Sequence, residues 1–191
     1  MTKALAKGRL QLLMIGVVFV GPLLIAYLLY GGGWAPDNTT EHGDILRPPA
    51  SLPDVALTDA GRESAPKFRG MWSLIVFNEG RCANICRTAL HETRQIRLAL
   101  GRDRDRVQRL LYMASGSYDP DFIRSDHPGL IVLESGSAAG EALATAAGVF
   151  AAGDIFLADP LGNLIMRFPE GTGMRGVHED LKKLLKISRI G

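Results

Sequence analysis

The hydrophobic pattern of the chain begins with residues 10–30, a run that contains no charged side chain. A helix of this length, rising about 1.5 Å per residue, crosses a hydrocarbon core of about 30 Å. Lys3, Lys7 and Arg9 precede the run, and positive charge on this side keeps an N-terminus in the cytoplasm. We predict cytoplasmic residues 1–9, a single transmembrane anchor over residues 10–30, and the rest of the chain on the far side of the bilayer.

Two other interpretations of this hydrophobic run stay open. A cleaved signal peptide has a shorter apolar region of about 7–15 residues and a small-residue cleavage site, and no clear site of that kind follows here. A buried core helix is disfavoured, because Gly16, Gly21 and Pro22 interrupt the run and it has no polar face. The pattern favours an uncleaved anchor.

Beyond the anchor, the pattern predicts a tether followed by one globular domain. Residues 31–53 are rich in Gly, Pro, Asp, Asn and Thr, which is typical of an extended linker. Residues 54–191 are enough to build a domain with its own hydrophobic core.

Strand and helix patterns alternate within residues 54–191. Ser73 to Phe77 is a continuous apolar run, as in a strand buried on both faces. Further strands are predicted at residues 55–58, 107–113, 130–133, 155–158 and 164–168, the last two joined by a turn. Helices are predicted at residues 86–100, 119–125, 137–147 and 177–187. From Ser73 onward the order β-α-β-α-β-α-β-β-α predicts an α/β fold of the thioredoxin-like kind, with a mixed sheet flanked by helices.

Charge and motif content exclude several classes of function. The chain carries 22 Lys and Arg against 20 Asp and Glu, a formal net charge of +2. Without a basic stripe, nucleic acid is not an expected partner. The sequence also shows no paired catalytic carboxylates, no nucleophile elbow and no phosphate-binding loop.

The cysteine content gives the candidate chemistry. The chain has two cysteines, Cys82 and Cys86, where the strand ending at Phe77 passes into a helix. Such a pair can close a disulfide or, when reduced, hold a soft ion such as Cu(I) between two thiolates. A purely structural disulfide is the alternative, although a loop this short gives little entropic stabilisation.

The residues around the pair favour thiolate chemistry. Cys86 is expected in the first helical turn, where the partial positive charge of the helix N-terminus stabilises a thiolate. Arg81 and Arg87 flank the pair and act in the same direction. We therefore treat Cys82 and Cys86 both as a redox pair and as candidate ligands of Cu(I).

Several segments resemble the Sco/SenC family. These are Leu52-Pro53-Asp54 with Leu57 and Asp59, the C-x-x-x-C pair after the first core strand, and the Asp-Pro-x-Gly turn at residues 159–162. The hairpin Gly162 to Phe168 and the tail Leu181 to Gly191 are similar to shorter proteins found beside bacterial oxidase assembly factors. The resemblance covers residues 52–187.

The resemblance implies a membrane-tethered thioredoxin-fold protein that takes part in copper delivery to cytochrome c oxidase. It implies Cu(I) as the metal, and an oxidase subunit or its assembly factors as partners beside the lipid bilayer. With the anchor, it implies the bacterial inner membrane, with the domain in the periplasm.

Two features depart from the Sco pattern. Proline is absent beside the cysteines, and the stretch 151–155 lacks the histidine that supplies the third metal ligand in Sco proteins. The cis-proline that thioredoxins have in this region is missing as well. Asp154 is the expected oxygen neighbour of the thiols. The four histidines (His42, His91, His127 and His178) are interpreted as surface residues, with His178 or Met174 reaching the thiols only if the loop 169–175 folds over them.

Three functions follow from these residues. The first is assistance to oxidase assembly, by handling Cu(I) or by reducing the cysteines of a client protein. The second is general thiol-disulfide oxidoreductase activity, against which stand the four-residue spacing and the missing cis-proline. The third is a scaffold without catalytic activity.

Overall fold

The structure is a computed structural model that describes residues 2–32, 41–55, 57 and 67–190. The chain divides into two compact units, residues 1–40 and residues 41–191. The first contains helix α1 (Thr2–Gly31). Within it, Leu13–Gly31 has a mean hydropathy of 2.3, which is long and apolar enough to cross a membrane. The predicted anchor is therefore supported as a single helical span.

The second unit contains a six-stranded mixed sheet with four helices. In chain order these elements are β1 (Asp44–Ser51), β2 (Trp72–Asn78), α2 (Asn84–Ala99), β3 (Val107–Met113), α3 (Pro120–Asp126), β4 (Leu130–Glu134), α4 (Ala138–Ala147), β5 (Ile155–Ala158), β6 (Asn163–Phe168) and α5 (Gly173–Ile187). A 3₁₀ turn, Gly101–Arg106, joins α2 to β3. The predicted thioredoxin-like α/β fold is confirmed.

The strands lie in the order β1-β6-β5-β2-β3-β4. Strands β2, β3 and β4 run parallel, whereas β5 pairs antiparallel with β2, β6 with β5, and β1 with β6. Every residue of β2 and β3 is buried, because helices or loops cover both faces of the central sheet.

Two hydrophobic clusters cover the two faces of the sheet. One contains Leu74, Leu90 and Leu181, and it joins the sheet to α2 and α5. The other contains Ile75, Leu143 and Phe156, and it joins the sheet to α4. The alternation of Leu74 and Ile75 between the clusters follows from the two-residue period of a strand.

Strand β1 differs from the sequence prediction. Residues 44–51 fall within the range 31–53 that was expected to be a tether, yet they pair with β6. Pro48 and Pro49 are tolerated because β1 lies at the edge of the sheet, where one side needs no ladder hydrogen bonds. The strand expected at residues 55–58 is not present at residues 55 and 57, and residues 56 and 58 lie outside the described part of the chain.

Candidate redox and metal site

Cys82 and Cys86 lie at the carboxyl end of the central strand β2. Their sulfurs form a disulfide, with the two Cα atoms 5.1 Å apart. Cys86 is the third residue of α2, so the predicted position in the first helical turn is confirmed. Cys82 is 7% exposed and Cys86 is 1% exposed. Both residues are buried, and Cys82 keeps the larger exposed fraction.

The N-terminus of α2 carries a partial positive charge beside the cysteines, and neither its N-cap side chain nor its first turn compensates that charge. Its N-cap residue, Ala83, offers no side-chain hydrogen bond, and the first turn contains no acidic residue. The first backbone N–H groups of a helix have no intrahelical acceptor and carry partial positive charge. A thiolate at this position compensates that charge, which lowers the free energy of the ionised form.

The two flanking arginines have different surroundings. The guanidinium carbon of Arg87 lies 4.3 Å from the centre of the Phe122 ring, a cation–π contact. This contact occupies one face of the Arg87 guanidinium. Arg81 is exposed.

The loop that carries Cys82 is held by the segment after β3. The backbone N–H of Cys82 donates to the carbonyl oxygen of Ser117 over 3.0 Å, and the N–H of Gly80 donates to Ser115 Oγ over 3.2 Å. Asn78 Nδ2 donates to the Gly80 carbonyl oxygen over 2.9 Å. These bonds fix the path of the chain from β2 to the disulfide.

Gly116 permits this close approach. Its φ is +80°, and a Cβ atom at this position would overlap the Gly80 carbonyl group and lie 2.7 Å from the Arg81 nitrogen. Both contacts are with backbone, which cannot move aside without shifting the loop before Cys82. Glycine is therefore required here by conformation and by space.

Gly116→Ala is expected to destabilise the domain by roughly 2–4 kcal/mol and to change the reaction rate of the reduced Cys82 thiol. The measurements are denaturant unfolding and the rate of alkylation. The matched control is Gly129→Ala, because Gly129 has a φ of +77° but open space around its Cβ position. The control should cost only about 1–2 kcal/mol, for the unfavourable φ, and leave the alkylation rate unchanged. Equal effects of the two variants would contradict the role assigned to Gly116.

Asp154, the expected oxygen neighbour of the thiols, is engaged elsewhere. Its carboxylate accepts hydrogen bonds from Arg167 Nε at 2.9 Å and from the backbone N–H groups of Ala151 and Glu170. Arg167 Nη2 lies 2.6 Å from the same carboxylate. The Asp154 side chain is 2% exposed. It serves as an internal clamp that joins the loop before β5, strand β6 and the loop after β6.

The residue beside the cysteine segment is instead Gly153. A Cβ atom at Gly153 would lie 2.5 Å from Cγ2 of Ile85, the residue before Cys86. The stretch in which Sco proteins carry the third ligand therefore meets α2 through a residue without a side chain.

Two of the histidines differ from their interpretation as surface residues. His127 is 3% exposed. His178 is half-buried, and its Nε2 is a buried atom without a hydrogen-bond partner among the described residues. His42, which lies in the range predicted to be a tether, is 44% exposed at its side chain and bonds through Nδ1 to Asp180 at 3.1 Å. Gly176 makes room for the His42 ring, since a Cβ there would lie 2.9 Å from the His42 Cβ.

The donors present fit Cu(I) better than Cu(II). The described residues contain no group of three or more His, Cys, Asp or Glu side chains that could hold a metal ion. The pair Cys82 and Cys86 offers two soft sulfur donors, which suits two-coordinate Cu(I) once the disulfide is reduced. Cu(II) prefers nitrogen and oxygen ligands in tetragonal geometry, and this site does not supply them.

A cleft of about 290 Å³ opens beside helix α2, which carries Cys86. Its walls include Asn84, Ile85 and Thr88 of α2 and the loop 169–173. Glu92 and Glu170 also line it, and the pKa of Glu92 is raised by burial first and by the charge of Glu170 second. The cleft is large enough for one or two side chains of a bound polypeptide.

Comparison with known proteins agrees with this geometry at the level of the fold. The apo Sco1 protein of Thermus thermophilus matches with 21% identity and a TM-score of 0.60, over 78% of this chain and 99% of that one. Yeast Sco1 with copper bound matches with 14% identity and a TM-score of 0.54, over 73% and 88%. A secreted thiol-disulfide isomerase from Corynebacterium glutamicum matches with 14% identity and a TM-score of 0.56, over 80% and 95%. No curated protein matches the chain.

Residues 72–188 match the sequence profile described as "Transmembrane-like, thioredoxin-like, C-terminal domain". This match covers more than half of the chain, and it includes both cysteines and every strand from β2 to β6. With its Sco-like thioredoxin fold, the chain belongs to the transmembrane-like, thioredoxin-like C-terminal domain family.

Proposed function

We propose that this protein is a membrane-anchored, periplasmic assembly factor that assists cytochrome c oxidase through Cys82 and Cys86. The observation that carries the proposal is the cysteine pair at the uncapped N-terminus of α2, in a thioredoxin-like domain that follows a membrane-spanning helix. The Sco resemblance supports the oxidase as the client. The anchor over residues 10–30 and the positive charges before it support the periplasmic side.

The chemistry proposed for the site starts from the disulfide. Two electrons and two protons from a dithiol reductant convert it to two thiols. Cu(I) then binds between the sulfurs of Cys82 and Cys86, and both thiol protons are released. The residues available for the metal are these two cysteines, because Asp154 is bound to Arg167 and position 153 is glycine.

The second candidate is thiol-disulfide exchange with a client. The greater exposure of Cys82 and the cleft along α2 favour it. In this reaction the Cys82 thiolate attacks a client disulfide, one client sulfur leaves as a thiolate, and Cys86 then displaces the other as it re-forms the Cys82–Cys86 bond. Ile85 is 51% exposed and lines the cleft, so a client segment lying there would contact an apolar side chain next to the reacting sulfurs.

The reduced full-length protein in neutral detergent is expected to bind one Cu(I) per chain, because two thiolates satisfy linear coordination. The measurement is titration of Cu(I) against a chromogenic competitor under anaerobic conditions. Cu(II) should bind much more weakly, since the described residues offer no histidine nitrogen as a third ligand beside the two sulfurs. The disulfide form is the matched control and should take up no Cu(I).

A different result would promote the second candidate. A reduced protein that takes up no Cu(I) from a modest competitor, but reduces a disulfide-containing peptide, would overturn the copper proposal. If the protein shows neither activity, the disulfide is purely structural, and the third function, a scaffold without catalytic activity, is favoured.

A further inference from the structure

Arg109 is a buried cation that forms no ion pair with any of the residues that the structure describes. It lies in β3, with Leu74 on one side and Leu130 on the other in register, so its side chain leaves the sheet on the face covered by α2. Arg109 is 4% exposed, and its Nη1 has no hydrogen-bond partner among the described residues. Burying a guanidinium costs several kcal/mol unless a hydrogen-bond acceptor replaces the water that it loses. Removing the partner of a buried charge typically costs about 3–5 kcal/mol.

His127 presents a second unpartnered donor near Arg109, because Leu130, the register partner of Arg109, donates its backbone N–H to the His127 carbonyl oxygen over 3.0 Å. It follows α3, is 3% exposed, and has a buried Nδ1 without a partner in the part of the chain that the structure describes. Its ring contacts Phe122 edge-on at 4.9 Å between centroids. In the tautomer that carries hydrogen at Nδ1, this atom is a donor that lacks an acceptor.

Arginines of α2 add further positive charge near Arg109 and His127. The pKa of Arg109 is lowered to about 10, first by burial and then by the charges of Arg97 and Arg94. The pKa of His127 is lowered to about 4, first by burial and then by the charges of Arg109 and Arg94. Within the described part of the chain, Arg97 alone among these arginines pairs with a carboxylate, Asp105 at 3.4 Å, and that pair is partly exposed.

We propose that Arg109 and His127, together with Arg94 on α2, form a binding site for a phosphate-type oxyanion. The oxygens of such a group accept hydrogen bonds from Arg109 Nη1 and from His127, and its negative charge compensates the convergent positive charges. The ligand is either free inorganic phosphate or the phosphate of a lipid headgroup. The site is distinct from the cysteine pair and needs neither copper nor thiol chemistry.

The groups that face His127 determine how binding depends on pH. They are Arg109 from β3, Arg94 and His91 from α2, and Asp126 from α3. His127 is neutral at pH 7 in the free protein, and a bound anion favours its protonated form. Binding is therefore coupled to proton uptake, so affinity rises as the pH falls.

The test uses the full-length protein in neutral detergent, with ionic strength held constant by chloride. Inorganic phosphate is expected to raise the unfolding temperature. Sulfate, whose charge stays constant between about pH 8 and pH 5, should bind more tightly toward the acid end. Arg109→Met should weaken anion binding at least about tenfold, while its unfolding temperature without anion stays equal or rises. A purely structural Arg109 would give the opposite stability change.

Two further variants complete the experiment. Arg109→Lys keeps the positive charge but loses the planar guanidinium with its paired N–H donors. It should therefore bind the anion more weakly than the wild-type protein and more tightly than Arg109→Met. Arg102→Met, which removes an exposed arginine on the 3₁₀ turn, should leave binding unchanged.

A short-chain phosphatidic acid in a second arm separates the two sources of phosphate. Binding of inorganic phosphate assigns the free anion, whereas binding of phosphatidic acid alone assigns a lipid headgroup. Failure of both probes, or binding that Arg109→Met leaves intact, would overturn the site.

Discussion

Cys86→Ser is expected to trap a mixed disulfide with a client peptide, whereas Cys82→Ser should trap almost none. The reason is exposure, since Cys82 is 7% exposed and Cys86 is 1% exposed within the core. In Cys86→Ser the accessible Cys82 thiolate attacks the client disulfide and no second thiol is present to resolve the product. In Cys82→Ser the remaining thiol belongs to Cys86, which is 1% exposed. The measurement is non-reducing electrophoresis with mass spectrometry of the adduct.

The same two variants should lose Cu(I) binding equally, because one thiolate cannot chelate the ion. The double variant Cys82→Ser/Cys86→Ser is the control for adducts that do not involve either cysteine. Equal trapping by the two single variants would show that both sulfurs are accessible in the reduced protein, contrary to the exposure difference. Retention of Cu(I) by either one would contradict a two-sulfur site.

Asp154→Ala is expected to lower the free energy of unfolding by about 3–5 kcal/mol, because it leaves the partly buried Arg167 without its counter-ion. The variant also removes the acceptor for the backbone N–H groups of Ala151 and Glu170. Denaturant unfolding measures the effect. The matched control is Asp121→Ala, whose pair with Arg124 is 88% and 77% exposed and should contribute less than about 1 kcal/mol.

Asp154→His tests the earlier expectation that this position faces the thiols. It should lose stability much as Asp154→Ala does and gain no copper affinity, since the side chain points into the contact with Arg167. A gain in Cu(II) binding by Asp154→His would show that the residue reaches the cysteines. An Asp154→Ala variant as stable as its control would show that the clamp is not important for the fold.

The sequence predicted best those elements whose pattern is local. Strands β2 and β3 are uninterrupted apolar runs, and α5 carries an apolar stripe at helical spacing, so each was predicted from a short window. The Asp159–Asn163 turn was predicted because its residues form their own hydrogen bonds, with Asp159 Oδ1 accepting from the Asn163 N–H at 2.8 Å. The helix N-terminus at the cysteines was predicted because the apolar run of β2 ends just before it and residues at helical spacing follow it.

Strand β1 was missed because its partner lies far along the chain. Asp44–Ser51 shows no alternation of apolar and polar residues and contains two prolines, so nothing local favours a strand. Its backbone becomes extended by pairing with β6, more than a hundred residues away. His42 was missed with it, since its acceptor Asp180 is equally remote.

The sequence by itself determined the apolar anchor, the alternation of strands and helices, and the cysteine pair at the junction of a buried strand and a helix. Each of these depends on the pattern within a continuous stretch of sequence. Only the tertiary structure decided that Asp154 binds Arg167, that Gly116 lies against Gly80, and that Arg109 pairs in register with Leu130, which bonds His127. These contacts join separate elements, so a buried polar side chain acquires its partner, or lacks one, only when the elements pack together.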